Sequence, residues 1–109
     1  MTKTIITTKD GQAFRGMASG PLAYFRHPGD TWGYRLWHLP TNMGICAVFF
    51  ARQARELIRL LLADPTLRWD FTDPEQATID MKGRVKAHYT AVLNESRDRA
   101  SQDRKDVSV

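Results

Sequence analysis

WGYRLWHLP (residues 32–40), TNMG (41–44), ICAVFF (45–50) and ARQARELIRLLLA (51–63) follow one another without a break, and they decide the fold. The first reads as an aromatic-rich strand, the second as a turn, the third as an apolar strand and the fourth as an amphipathic helix. Two strands and a helix can cover one another, so this unit is the natural centre of a small core. In the helix, Phe50, Ala54, Leu57, Ile58 and Leu61 recur at helical spacing while Arg52, Arg55 and Arg59 turn to the other side. Asp64-Pro65 ends it, because a proline there cannot continue the hydrogen-bond ladder.

Working back from that unit, residues 3–8 hold Ile5, Ile6 and three threonines and are strand-prone. The Asp-Gly of Lys9-Asp10-Gly11-Gln12 turns the chain into Ala13-Phe14-Arg15-Gly16, making a hairpin. Met17-Ala18-Ser19-Gly20 reads as a connector, residues 21–26 as a further strand, and His27-Pro28-Gly29-Asp30 as a second turn. Working forward, Leu67, Trp69 and Phe71 alternate with Arg68 and Asp70, which predicts a link that pins apolar side chains onto the core. Asp73-Pro74-Glu75-Gln76 carries an N-cap aspartate, a proline at the first helical position and a capping-box glutamine, so a second helix is expected to start there. Its stripe would be Ala77, Met81, Val85, Tyr89, Val92 and Leu93, with Ile79 off the main face.

The expected fold is therefore α+β: an antiparallel β-meander of four to five short strands, then two α-helices, the first packed on one sheet face. Residues 1–95 form the single globular domain, and 96–109 form a polar C-terminal tail, frayed or disordered, with almost no apolar content. A chain of 109 residues can bury roughly two thirds of the surface its unfolded form exposes. The lone Cys46 has no partner for an internal disulfide and sits in an apolar run, which points to a reducing, cytoplasmic setting. No stretch approaches the roughly 20 apolar residues of a spanning helix, so no membrane association is expected.

The net charge is +4, with a pI near 9.6. The excess lies in the strand region, where Lys3, Lys9, Arg15, Arg26 and Arg35 stand against Asp10 and Asp30. Such a balance favours polyanions or acidic protein surfaces. Alternation along the fourth strand puts Trp32, Tyr34, Leu36 and His38 on one face and Arg35, Trp37 and Leu39 on the other. If Phe25 joins Tyr34 and Leu36 in the core, the open face presents Tyr24, Arg26, Arg35 and Trp37, with His27 nearby. Rings for base stacking beside guanidiniums for phosphates make that face a candidate nucleic-acid platform. Arg52, Arg55 and Arg59 form a second candidate, a ridge suited to phosphates or a carboxylate-rich partner, with Glu56 among them.

Catalytic and ligand signatures are sparse. Cys46 and His38 lie on adjacent expected strands, but no nucleophile turn surrounds the cysteine and no orienting carboxylate follows the histidine. His27, His38, His88 and Cys46 lack paired metal-ligand spacing, and the scattered glycines form neither a dinucleotide fingerprint nor a phosphate loop. No catalytic, metal or cofactor-binding residue is assigned, no cofactor is expected, and the chain is read as a non-enzyme. The leading expectation is a small binding module acting through a protein partner, an adaptor or inhibitor of the kind carried by phages, plasmids and other mobile genetic elements and directed at a host protein complex. The alternatives are a nucleic-acid binder using the sheet face and the arginine ridge, and a self-associating structural protein that dimerises through the stripe of the second helix.

Overall fold

The computed structural model describes residues 1–27 and 33–107, with side chains described through Glu95. Five antiparallel strands, β1 (Thr2–Thr7), β2 (Ala13–Ser19), β3 (Leu22–Arg26), β4 (Tyr34–His38) and β5 (Met43–Val48), form one sheet in the order of the chain. Two helices follow, α1 (Ala51–Ala63) and α2 (Ile79–Val107). The fold is α+β, with α1 lying against β3, β4 and β5. Trp32 and the expected turn at residues 28–30 lie outside the described residues.

Turn chemistry sets the sheet register. In the first hairpin Gly11 takes φ +85° and the Gly11 amide donates to the Thr8 carbonyl at 3.0 Å, as a three-residue loop closed by a left-handed residue requires. The connector expected at residues 17–20 is instead mostly strand. β2 continues through Ser19, which pairs with Leu22, so the turn is only Gly20-Pro21, with Gly20 at φ +57°. A positive φ at the first turn residue matches the twist of the flanking strands, which lets so tight a connection form. Between β4 and β5 the pairing passes from Leu36 with Cys46 to Trp37 with Gly44, leaving Ile45 as the extra residue of a bulge. The bulge also brings the first residue of β5 back to Met43, within the stretch expected to be turn.

The main core lies between the sheet and α1. Leu22, Leu36 and Val48 meet Ala54, Leu57, Ile58 and Leu61, all buried. Phe50, expected in that stripe, is 54% exposed and stands just outside the helix as its N-cap residue. Its place is taken by the buried Gln53, whose Oε1 accepts from the Phe49 and Phe50 amides at 3.0 and 2.9 Å and so satisfies two otherwise orphaned donors. The opposite sheet face holds a smaller cluster, where Phe25 stacks on Phe14 with centroids 4.9 Å apart and meets the edge of Trp37 at 5.6 Å.

The link between the helices behaves as its alternation predicts. Leu67 and Trp69 are buried, Phe71 packs against the main core, and the Trp69 indole donates to the Leu61 carbonyl at 3.3 Å. The cap at Asp73 also forms, since its carboxylate accepts from the Glu75 amide at 3.0 Å. What it opens, however, is a 3₁₀ turn over Pro74–Gln76 that ends at an extended Ala77, and not the second helix. Thr78, next in the chain and nearer the apolar stripe, caps α2 by accepting from the Met81 amide at 3.1 Å. The helical backbone continues through Val107, past the point where the apolar stripe stops.

One side of α2 is fixed by Asp64, the buried residue that ends α1. Its carboxylate accepts from the Thr66 hydroxyl at 2.6 Å and amide at 2.9 Å, from His88 Nε2 at 2.9 Å and from Arg84 Nε at 3.0 Å. These donors, the Thr66 hydroxyl foremost and then His88 and Arg84, hold the Asp64 carboxyl well below the usual carboxylate range. The stripe of Met81, Val85, Tyr89 and Val92 then turns inward onto the main core, while Ile79 is 87% exposed. Of the residues expected to supply a dimer interface, Val92 is buried, while Met81, Val85 and Tyr89 pack against the core only in part. Among the described residues no helix is long and apolar enough to cross a membrane.

Candidate functional site

The residues expected to share an open sheet face do not share one. Tyr24 pairs with Leu36 and Phe25 with Arg35, so Tyr24 joins the helix-covered core at 7% exposure and Phe25 goes to the other side. The expectation had the register of β3 against β4 wrong by one residue, which reverses every side chain of the strand. Arg26 pairs with Tyr34 at the exposed end of β3, on the same side as Tyr24. Arg35, Trp37 and His27 do line one shallow depression, together with Lys9, Asp10 and Asn42. There the Trp37 indole donates to Asn42 Oδ1 at 2.9 Å and His27 leans on Phe14, so both rings have packing roles.

The arginine ridge is a row of locally engaged side chains. Arg59 makes a two-pronged pair with Glu56 at 3.0 and 2.5 Å, Arg55 donates to the Tyr24 hydroxyl at 3.4 Å, and Arg52 sits 5.3 Å from the Phe50 ring centre. All three guanidiniums remain on exposed residues.

A concavity of about 510 Å³ lies elsewhere, between β5, the Trp69–Phe71 segment and α2. Met43, Ile45, Met81 and Val85 give it apolar walls, and Trp69 and Phe71 close one end. Its polar groups are mostly engaged. The Trp69 carbonyl can only accept, so at 2.8 Å His38 Nε2 must carry the proton. His38 Nδ1 shares a second hydrogen bond with the Thr41 hydroxyl at 2.7 Å, so both ring nitrogens are engaged within the chain. The Tyr89 hydroxyl donates to the Ala47 carbonyl at 3.0 Å, and burial raises its pKa above the ordinary phenol value.

Cys46 also lines this cleft, and burial pushes its thiol up to about 12. At neutral pH it is a protonated, poorly nucleophilic group, and a His38 occupied at both nitrogens supplies no activation. The two residues weighed as a nucleophile and base are close in the fold yet not arranged as such a pair. Among the described residues no three potential ligands gather in a way that could hold a metal ion.

Lys82 and Lys86 stand at the rim of the cleft on α2, one turn apart. The described ion pairs, Arg59–Glu56, Arg84–Asp64 and His88–Asp64, leave both lysines without a carboxylate among the described residues. Neither lysine stands out in the sequence as a site residue. Their legible signal is position, since they flank the Met81–Val85–Tyr89 stripe on the side opposite Arg84 and His88.

Comparison with protein-family models, with curated proteins and with solved structures finds no match.

Proposed function

We propose that the chain is a small non-enzymatic binding module, an adaptor or inhibitor in kind, that engages a protein partner through the cleft between β5 and α2. One observation carries this reading: the cleft joins open apolar walls, two of them built from methionine, to a rim where Lys82 and Lys86 meet no carboxylate among the described residues. Flexible thioether side chains suit a surface that must mould to another protein. His38, Thr41 and Tyr89 in the lining are tied up in internal hydrogen bonds, and burial keeps the Cys46 thiol protonated, which favours binding over chemistry.

The test uses Met43→Glu, because Met43 is 40% exposed at the cleft mouth and a carboxylate there costs the fold little. The immobilised protein should retain a partner from cell extract that the variant releases, with both melting at the same temperature. Equal retention by the two proteins overturns the reading.

A second reading draws on Arg35, Trp37, His27 and Lys9 sharing the depression on the other sheet face. It predicts micromolar oligonucleotide binding that weakens steeply between about 50 and 200 mM salt and is lost in Arg35→Ala. Fluorescence anisotropy with single- and double-stranded DNA decides it.

A further inference from the structure

We infer that the occupant of the cleft is an acidic amphipathic helical segment of the partner, its apolar stripe seated between β5 and α2 and two carboxylates one turn apart meeting Lys82 and Lys86. The inference rests on the cleft being the working surface and adds the chemistry of what it takes. Charge complementarity argues for it first. Among the described residues, the fifteen that line the cleft include two lysines and no carboxylate. Lysines four apart on one helix have Cβ atoms roughly 6 Å from each other, the same spacing that two glutamates one turn apart have on a facing helix.

Other occupants fit less well. An extended peptide adding to the sheet needs a free, regular strand edge. Here the Tyr89 hydroxyl already occupies the Ala47 carbonyl, and the bulge at Ile45 interrupts the regular ladder. Nucleic acid needs open ring faces for stacking. Trp69 and Phe71 instead crowd against His38, with centroids 5.6 and 4.5 Å from its ring. A small ligand is normally buried over most of its surface, whereas Met43, Lys82 and Lys86 at this rim are all exposed. That leaves side chains delivered from outside, as in helix-in-groove recognition.

The probes are two labelled helical peptides of about 18 residues with the same leucine stripe, one flanked by glutamates and the other by lysines, with dodecanoate as a small amphiphile. Binding is read by anisotropy and located by the methyl resonances of Met81 and Val85. The glutamate peptide should bind, shift those methyls and weaken with salt. Lys82→Glu/Lys86→Glu, altered only at exposed positions, should weaken it between about threefold and thirtyfold and bind the lysine peptide in its place. If both peptides bind the unaltered protein alike and shift Met81 and Val85, the acidic specificity is overturned while the cleft stands. Tighter binding of dodecanoate at those methyls overturns the peptide class. Should no probe move either methyl, both the inference and the reading beneath it fail.

Discussion

Two capping residues close together in the chain, Asp73 and Thr78, show how residue-level signals compete. Asp73 carries the stronger sequence signature, yet it caps only the 3₁₀ turn, while Thr78 caps the long helix. Thr78→Ala should therefore cost about 1 kcal/mol and Asp73→Ala clearly less, read as urea midpoints of the two variants. Equal losses would mean that the 3₁₀ turn and α2 behave as one unit. Sequence spacing identifies both side chains as caps but does not say which kind of helix each one opens. That depends on where the apolar stripe must begin to meet the core, which is tertiary information. Tyr24 and Phe25 give the same lesson. Alternation tells that they point to opposite faces, and only the pairing of β3 with β4 tells which face each takes.

Among the elements, legibility follows length and periodicity. α1, β1, β3 and β4 are readable because their turns carry glycine and the helix repeats apolar residues over several turns, whereas the second half of β2, bounded by Gly16 and Gly20, reads as a connector. The bulge in β5 was not readable, since nothing local marks Ile45 as the extra residue. The cleft was hidden for a related reason. It is assembled from β5, a non-regular link and one side of α2, none of which signals the others in sequence. Asp64 belongs to this scale too, because a residue that reads only as a helix stop turns out to anchor the next helix. Its carboxyl is lowered in the folded protein relative to the ordinary value of 3.8, so its stabilising effect is complete above that value and fades as pH falls below it. Asp64→Asn should be less stable than the unaltered chain at about pH 5, and the gap should narrow by about pH 3. Chemical denaturation at the two pH values checks this, and a gap that stays constant would show that the charge of Asp64 does not hold α2.

For the whole molecule, the meander has a kinetic meaning. Every strand pairs with its neighbour in the chain, so each step of sheet assembly closes a short loop and costs little chain entropy. Docking α2 is different, because the hydrogen bond from Tyr89 to Ala47 spans 42 residues. Stopped-flow refolding should thus be fast for a five-stranded sheet, on the order of milliseconds. Tyr89→Phe should quicken unfolding while leaving the folding rate nearly unchanged. A variant that slowed folding instead would place helix docking inside the nucleus. If Tyr89→Phe leaves the folding rate unchanged, the sheet and α1 come together first and the cleft is the last feature to form. A nascent or partly unfolded chain would then lack the cleft, so if the cleft binds a partner as proposed, that binding would report that the chain's own folding is complete.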